Sequence, residues 1–368
     1  MSSAAASGAP MTVAVECSRL PGDARGIGRY VRAVLPRLLE QRPGLRLVPF
    51  ARRRSQLPAL AETLGALGIV GERVMPRLFT EIGRHDADLF WYPWNIARPA
   101  PQRGVVVVAT VHDAAPLAFP DPRWAKWWQN RRWRRLYAAT ARRANVIITD
   151  ATFTAAELDR MLAVAAERIR VVPLAADDVR VPPPERDSDA LARLGVSGPY
   201  VLAVSAQDRR KNLALLERAM HHVADILPHA RLVTVGAHPA GQPELVPAWW
   251  HPVGFVSDDD LVSLYRGARA LVVPSLYEGF GLPVLEAMQV GTPVICARTS
   301  SLPWVGGSAA RYVSPTDDGE LALAIADLLT DDDAYHTARR AGLEQAARFS
   351  WDETAHLTLA AFDAALGR

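Results

Sequence analysis

The sequence predicts an α/β protein in which two Rossmann-like, doubly wound parallel-sheet domains face a central crevice. The chain has 368 residues, which is more than one ordinary hydrophobic core supports. Short β-branched runs alternate with amphipathic stretches along the chain, a pattern typical of parallel α/β layers. The alternation is interrupted at "VRVPPPERDSD", where three prolines and a run of charges favour a linker. These observations predict two domains.

The predicted elements fall into two similar series, one on each side of the linker. We place a disordered tail at 1–10, the first domain at 11–180, the linker at 181–188, the second domain at 189–347 and a closing helix at 348–368. The first domain's strands are predicted at Thr12–Cys17, Leu45–Pro49, Leu89–Tyr92, Val105–Val111, Val146–Thr149 and Arg170–Val172, with helices at 27–41, 57–67, 122–143 and 154–165. The second domain's strands are predicted at Tyr200–Ser205, Arg231–Val235, His251–Phe255, Ala270–Val273, Pro293–Ala297 and Tyr312–Val313, with helices at 212–225, 258–267, 283–290, 302–306, 317–329 and 332–347.

Composition and charge narrow the class of protein. The longest wholly apolar run, Val105–Ala109, is far shorter than a membrane span, and the start of the chain lacks the features of a signal peptide. The two cysteines, Cys17 and Cys296, favour a reducing cytoplasm over a disulfide framework. Residues 1–180 carry 27 basic and 16 acidic residues, and the remainder carries 15 and 23. A basic first half suits an anionic membrane, an anionic acceptor or nucleic acid, although drift in surface composition explains it equally well.

Two glutamates lie in the segment "PSLYEGFGLPVLEAMQVGTPVI", which predicts a strand end, a loop and a helix. Pro283 suits the first helical turn, and Gly279 and Gly281 let the backbone approach a ligand at the helix N-terminus. Glu286 lies one turn into the helix, where its side chain leans back toward the loop that holds Glu278. Carboxylates at an anion-binding helix end suit hydrogen bonds from sugar hydroxyls, such as a ribose diol. The alternative is that both glutamates form local caps or ion pairs.

This segment resembles the Glu-x7-Glu motif of retaining glycosyltransferases with the GT-B fold, most closely those of glycosyltransferase family 4. The resemblance implies that Glu278 holds the donor hexose and Glu286 the ribose. It also implies that the backbone at Phe280, Gly281 and Leu282 lies against the sugar and the pyrophosphate. In that family the first domain binds the acceptor, the second binds the nucleotide, and the closing helix crosses back onto the first domain.

Arg210 and Lys211, in "VSAQDRRKNL", stand between the second domain's first strand and the next helix. Lys211 is one of two lysines in a chain with 40 arginines. Two cations at a helix N-terminus suit a pyrophosphate leaving group, whose charge grows as the glycosidic bond breaks. A solvated basic turn is the alternative. The family carries Arg and Lys in a similar setting, which implies a catalytic role. It usually has glycine at the position of Ser205, which the resemblance implies is beside the donor.

Gly26 and Gly28, in "ARGIGRYV", precede the first long helix. The loop starts too far after its strand for a dinucleotide-binding loop, which disfavours a dehydrogenase. The family's similar "GIGRY" loop implies a place beside the donor phosphates and the acceptor, whereas an ordinary turn is the alternative. His112 stands at the tip of the buried strand in "VVVVATVHDAAPLAFP". It matches the family histidine that hydrogen-bonds the donor sugar, often at O6, and the alternative is a structural histidine.

The stretch "DPRWAKWWQNRRWRRLYAATARR" predicts a helix with a tryptophan–arginine face. This face comprises Trp124, Trp127, Trp128, Arg131 and Arg135, and Trp133, Leu136 and Tyr137 lie opposite. Such a face suits a membrane interface or a lipid-linked acceptor. The alternative is that both faces are buried between the domains.

The resemblance implies a transferase that moves a hexose from a nucleotide sugar, with GDP-mannose as our best guess, to a glycan or lipid-linked acceptor. We expect no metal, no other cofactor and no nucleic-acid partner, and a place in the cytoplasm at the inner face of the membrane. A dTDP-rhamnose or UDP-hexose donor stays open. A phosphorylase or epimerase on the same fold, or a non-catalytic GT-B scaffold, is the alternative. Trp304, in "LPWVGG", departs from the family, which often has a glutamate there.

Overall fold

Each half of the chain is organised around one parallel β-sheet. The computed structural model describes residues 10–23, 26–120, 126–180, 182–204, 208–236 and 247–368. The chain divides into two compact units: the first comprises Met1–Leu174 and Ser350–Arg368, and the second comprises Ala175–Phe349. Two residues named above, Trp124 and Ser205, lie outside the described residues, as do residues 1–9 of the predicted tail.

In the described part of the first unit, seven strands form a sheet in the order β3-β2-β1-β4-β5-β6-β7, with the adjoining strands parallel. The strands are β1 (Met11–Glu16), β2 (Leu45–Ala51), β3 (Arg77–Leu78), β4 (Leu89–Tyr92), β5 (Val106–Thr110), β6 (Val146–Thr149) and β7 (Ile169–Val171). The helices between them are α1 (Ile27–Gln41), α2 (Leu57–Ala66), α3 (Ala115–Ala118), α4 (Trp127–Arg143) and α5 (Thr152–Leu162). The strand order reverses between β1 and β4, as in a doubly wound sheet.

In the described part of the second unit, six parallel strands follow the order β10-β9-β8-β11-β12-β13. The strands are β8 (Tyr200–Val204), β9 (Arg231–Val235), β10 (Trp250–Gly254), β11 (Ala270–Val273), β12 (Val294–Ala297) and β13 (Arg311–Val313). The helices are α6 (Asp187–Arg193), α7 (Leu213–Ile226), α8 (Asp258–Gly267), α9 (Leu282–Gln289), α10 (Leu302–Gly306), α11 (Asp318–Thr330) and α12 (Asp332–Ala346). The predicted fold class, two doubly wound parallel sheets, is confirmed.

Several strands in the interior of the two sheets are buried along their whole length. Every residue of β6, β11 and β12 is buried, which is why these segments read as runs of valine, isoleucine, leucine and alanine. Parallel strands covered by helices on both faces have this composition. None of the helices in the described ranges combines the length and the hydropathy that crossing a bilayer requires.

Three of these elements, β3, α3 and α6, were not predicted, and α3 is a single helical turn of four residues. The strand β3 has two residues, which is too short for an alternating pattern to reveal. The predicted linker at 181–188 is partly helical, because Pro184 opens a 3-10 turn and α6 begins at Asp187. Proline at the start of a helical turn loses no hydrogen bond, so these prolines permit the turn that we expected them to exclude. The Asp187 carboxylate then accepts hydrogen bonds from Ser263 and Arg266 of α8.

The closing helix α13 (Trp351–Ala365) belongs to the first unit and packs against α1. Trp351 is fully buried, and the Phe362 ring meets the Trp91 indole edge-on with centroids 5.4 Å apart. At the far end, the Arg42 guanidinium forms two hydrogen bonds of 2.9 and 2.6 Å to the Asp363 carboxylate. A bidentate pair of this kind fixes both position and direction of the helix.

Candidate active site

The candidate site of the second unit lies where the strand order reverses, between β8 and β11. Ligands of open parallel sheets bind at such a point, outside the carboxyl ends of the strands. A 3-10 turn, Arg209–Lys211, lies between β8 and α7, and a loop at 274–281 joins β11 to α9. The backbone N–H of Leu276 donates to the Arg210 carbonyl at 2.7 Å, so the turn and the loop are directly connected.

Lys211 and Glu278, predicted from separate motifs, form an ion pair in the structure. The Lys211 Nζ lies 2.8 Å from Glu278 Oε1, and the two side chains are 20% and 13% exposed. The Ser275 hydroxyl donates to the same carboxylate oxygen at 2.7 Å. The carboxylate is therefore held from two sides, and its other oxygen carries neither of these two bonds.

Serines that follow β12 hold the loop that carries Glu278. The Ser300 Oγ accepts from the Glu278 N–H at 2.9 Å. The Ser301 hydroxyl lies 2.9 Å from the Glu278 carbonyl and 2.6 Å from the Phe280 carbonyl, and its single proton lies within hydrogen-bond reach of both. Gly281 adopts a φ of +111°, which favours glycine, and an added Cβ would lie 3.1 Å from Leu302. These contacts fix the backbone from Phe280 to the start of α9, the segment that sequence analysis placed against the donor.

Asn212 connects the basic 3-10 turn Arg209–Lys211 to α7. Its φ of 55° is left-handed, which asparagine tolerates better than most residues. Its side-chain amide donates to the carbonyls of Pro274 and Pro315 at 3.0 and 2.9 Å. This residue was missed by the sequence analysis, although its position directly before a helix and after two cations was visible.

Arg210 is held by Asp208, which the sequence analysis also missed. The Asp208 carboxylate accepts from the Arg210 backbone N–H at 2.9 Å and from its side-chain Nε at 3.0 and 3.1 Å. Hydrogen bonds from the Arg210 side chain, opposed by partial burial, lower the pKa of Asp208. The Asp208 carboxylate thus fixes the position of the Arg210 guanidinium.

Glu286 lies on α9, at the position where its side chain was expected to lean toward the loop. Its Oε2 accepts a hydrogen bond of 3.0 Å from the hydroxyl of Tyr265, a residue of α8 that is 1% exposed. The buried tyrosine thus fixes a carboxylate that is itself partly exposed. An oriented carboxylate is what a ribose diol requires as an acceptor.

Trp304 braces the loop with its ring. The rings of Phe280, Trp304 and Phe349 form a closed cluster with centroids 6.0, 6.2 and 5.9 Å apart, each pair edge-on. Such edge-to-face pairs contribute about 0.5–1.5 kcal/mol each beyond their burial. The carboxylate that is frequent at this position in the resembling family is thus replaced by an aromatic support for the Phe280 backbone.

His112 of the first unit lies at the tip of β5, as predicted, but both of its ring nitrogens are occupied. The Nδ1 lies 2.8 Å from Asp150 Oδ2, and the Nε2 lies 2.9 Å from the Pro93 carbonyl. Burial lowers the pKa of His112, but the Asp150 carboxylate and the Pro93 carbonyl outweigh it, so the pKa is raised. The imidazole is 6% exposed. A hydrogen bond from this ring to a sugar would require one of the two existing bonds to be exchanged.

The two predicted loop glycines have steric roles in the structure. Gly26 caps α1 with a φ of +57°. A Cβ added at Gly28 would lie 1.9 Å from the Asp23 carbonyl oxygen, which no side chain allows. Asp23 therefore packs directly on the first turn of α1.

The tryptophan–arginine helix is confirmed as α4 from Trp127 onward. Trp127 and Trp128 are 50% and 71% exposed, whereas Tyr137 is 2% exposed and packs into the core of the unit with Trp133. The Arg131 guanidinium lies over the Trp127 ring, 5.4 Å from its centroid. The face with Trp127 and Trp128 is therefore not packed into the core of the first unit.

Two family models match the chain. The model described as "Glycosyltransferase Family 4" matches residues 24–180, and the model described as "Glycosyl transferases group 1" matches residues 198–331. Together they span most of both structural units.

Two relatives from Escherichia coli are mannosyltransferases by name. The chain is 44% identical over 114 residues to the O-antigen chain mannosyltransferase B, an alignment that covers 31% of this chain and 30% of the relative. It is 41% identical over 109 residues to the serotype-specific mannosyltransferase WbdA, which covers 30% of this chain and 13% of the relative. The matched regions thus span less than a third of either relative's length.

Two solved structures share the fold along nearly the whole chain. The sucrose-phosphate synthase from Thermosynechococcus elongatus has a TM-score of 0.73 at 21% identity and covers 97% of this chain and 99% of its own. Anabaena Alr3699/HepE, solved in complex with UDP-glucose, has a TM-score of 0.71 at 17% identity and covers 96% and 100%.

Proposed function

The chain belongs to glycosyltransferase family 4 and has the GT-B fold, and from that premise we propose that it is a retaining hexosyltransferase. The proposed donor is GDP-mannose, and the proposed acceptor is a glycan or a lipid-linked glycan. The observation that carries the proposal is the pairing of Lys211 with Glu278 at the carboxyl ends of β8 and β11. It joins a cation suited to a leaving phosphate with a carboxylate suited to a sugar.

In the proposed reaction, Lys211 and Arg210 offset the negative charge that develops on the departing nucleoside diphosphate. The ammonium group has three donors, so Lys211 is able to keep its bond to Glu278 while it contacts a phosphate oxygen. Positioned groups of this kind stabilise the transition state more than the ground state, because the charge is largest there. The acceptor hydroxyl attacks from the face that the diphosphate leaves, and the departing phosphate takes its proton. The anomeric configuration is thereby retained.

Three features of the second unit would hold the donor. Glu278 accepts hydrogen bonds from hexose hydroxyls, and Glu286, oriented by Tyr265, accepts them from the ribose. The N-terminus of α9, which is the positive end of the helix dipole, faces the diphosphate. The aromatic cluster around Trp304 keeps the loop in position for these contacts.

Mannose is favoured as the transferred sugar because two relatives at 44% and 41% identity carry the name mannosyltransferase. A UDP-hexose is the second candidate, because the Alr3699/HepE structure of similar fold contains UDP-glucose. A dTDP-rhamnose donor is a third, for which the described residues provide no separate support.

We place the acceptor on the first unit and the protein at the inner face of the membrane, in the cytoplasm. The exposed rings of Trp127 and Trp128 stand beside arginines on α4, a combination that suits the boundary between lipid headgroups and acyl chains. Sedimentation with anionic vesicles should decrease in the Trp127→Ala/Trp128→Ala variant. Equal sedimentation of the variant and the wild type would contradict the membrane contact.

The decisive experiment is donor hydrolysis. Purified protein is incubated with a panel of nucleotide sugars, and slow release of the free nucleotide is measured, with Glu286→Ala as the inactive control. Release from one donor that the variant abolishes supports the transferase and names the donor. If no donor is hydrolysed, thermal shift with the bare nucleotides decides: stabilisation by GDP or UDP indicates a missing acceptor, and no stabilisation favours the non-catalytic scaffold.

A further inference from the structure

A groove in the first unit lies beside α4, apart from the residues to which the proposed transfer has been assigned. It has a volume of about 590 Å³, within the range of small-molecule sites. It is bordered by residues of α3, α4 and α5 and by Pro120. Its basic lining comprises Arg131, Arg134 and Arg160, and its apolar lining includes Trp127, Leu117 and Met161.

The groove is strongly cationic because α4, which forms one side of it, is rich in arginine. The helix α4 contains six arginines and no aspartate or glutamate among its 17 residues. Like charges three or four residues apart destabilise a helix, and Arg131 and Arg134 are such neighbours. Of the three arginines that line the groove, Arg160 is paired with Glu157, with Nη2 and Oε1 2.6 Å apart. An anion in the groove would offset the repulsion between the other two.

The apolar lining makes the groove unlike a site for a small inorganic anion. Leu117 and Met161 supply aliphatic surface next to the guanidinium groups, and the Trp127 ring lies under Arg131. Methionine adapts to irregular apolar ligands, and arginine binds phosphate through paired N–H donors. The two kinds of lining together fit a ligand with a phosphate at one end and a hydrocarbon chain at the other.

We propose that this groove binds the phosphate end of a lipid that carries the acceptor sugar. The proposal rests on the transferase function above, and it specifies the acceptor as a lipid phosphate or diphosphate. The concave shape favours a single lipid-linked molecule over the surface of a bilayer, because a bilayer presents its headgroups on a plane. Arg131 and Arg134 are the residues that recognise the phosphate, and Leu117 and Met161 contact the first part of the chain.

The test uses farnesyl diphosphate as a short lipid diphosphate, with inorganic pyrophosphate and farnesol as its two halves. Binding is measured by calorimetry for the wild type and for Arg131→Gln/Arg134→Gln. The control variant, Arg132→Gln/Arg142→Gln, removes the same charge from exposed positions of α4 that do not line the groove. Thermal unfolding confirms that each variant folds. The same measurements on Lys211→Met exclude binding of the diphosphate in the second unit.

Farnesyl diphosphate should bind the wild type and Lys211→Met more tightly than either half does. The groove variant should lose at least about tenfold in affinity, because it removes two charged hydrogen-bond donors from the phosphate. The control variant should lose about twofold or less, the size of a distant charge effect. Met161→Gln should weaken binding of farnesyl diphosphate but not of pyrophosphate.

Three outcomes would overturn the proposal. Equal losses in the groove and control variants would show a general charge effect, and binding lost in Lys211→Met would place the ligand in the second unit. If the groove variant loses sedimentation with phosphatidylglycerol vesicles while its farnesyl diphosphate affinity is unchanged, the groove holds bilayer headgroups. Donor hydrolysis is measured on the same samples, so a failed groove with intact hydrolysis is distinguished from failure of the transferase proposal.

Discussion

Replacing Lys211 by methionine is the perturbation that examines the proposed site most directly. Methionine keeps most of the length and the apolar stem but removes the ammonium group that lies 2.8 Å from Glu278. We expect kcat for transfer or donor hydrolysis to fall about 10²–10³-fold, the usual loss when one stabiliser of a developing anion is removed, or about 2.7–4 kcal/mol. Because charge develops mainly in the transition state, KM for the donor should change much less than kcat.

The same substitution should also lower the free energy of unfolding, by an amount that depends on how deeply the ion pair is buried. Breaking a fully buried pair costs about 3–5 kcal/mol, and breaking an exposed one costs about 0–1 kcal/mol. The Lys211 and Glu278 side chains are 20% and 13% exposed, so an intermediate loss of about 1–3 kcal/mol is expected. Ser275 still donates to the carboxylate, which favours the lower part of that range. For a unit of this size, each kcal/mol lowers Tm by about 2–4 °C.

The matched control is Arg209→Met, because Arg209 lies in the same 3-10 turn and is exposed. It loses one positive charge near the site without removing a contact to Glu278. Steady-state release of nucleotide and thermal unfolding are measured for both variants in parallel. If Lys211→Met lowers kcat no more than Arg209→Met does, the assignment of Lys211 to the leaving group is refuted. Partial recovery in Lys211→Arg would show that the charge itself matters.

Three further predictions concern other parts of the chain. Asp208→Ala should lower kcat several-fold, because the paired guanidinium loses its fixed position, and loss of the helix cap should cost about 1 kcal/mol in thermal unfolding. Gly28→Ala should destabilise the protein by at least about 1–3 kcal/mol in denaturant titration, because the new Cβ collides with backbone; Gly22→Ala, with no atom within 4 Å of its Cβ, is the control. The free energy of unfolding should fall as pH rises above 6.5, the ordinary pKa of histidine, because the pKa of His112 is raised in the folded protein. The protonated ring stabilises the fold fully below pH 6.5, and this stabilisation is lost as pH rises through the folded pKa. His112→Asn should remove this pH dependence of thermal unfolding.

Much of the fold follows from the sequence because its central strands are buried on both sides. Short runs such as "VIIT" in β6 and "VICA" in β12, rich in β-branched residues and wholly buried, are typical of strands in a covered parallel sheet. The short edge strand β3 was missed because two residues cannot show a period. The helix α6 was missed because the prolines before it read as a linker, whereas proline is equally suited to the first position of the 3-10 turn that leads into α6.

The candidate site was less completely predictable. Lys211 and Glu278 stood out through their motifs, but 67 positions separate them in sequence, and their contact depends on β8 and β11 being neighbours in the sheet. The pairing of Asp208 with Arg210 was missed although only one residue separates them. An acidic and a basic residue so close in sequence pair only where the backbone turns their side chains toward each other, and the sequence did not show this turn. The two hydrogen bonds of the His112 ring were also not predictable, since their partners, Asp150 and Pro93, follow different strands.

The basic turn Arg209–Lys211 and the loop at 274–281 are directly connected, because three interactions join them. The Leu276 N–H binds the Arg210 carbonyl, the Asn212 amide binds the Pro274 carbonyl, and Lys211 pairs with Glu278. Two of these links use backbone groups of the loop, so the position of the ammonium group depends on the loop after β11 as much as on β8. The aromatic cluster at Trp304 then acts on the same loop from its other end, through Phe280. A substitution at either end of this loop is therefore expected to shift the position of the Lys211 side chain. No single motif in the sequence predicts this dependence.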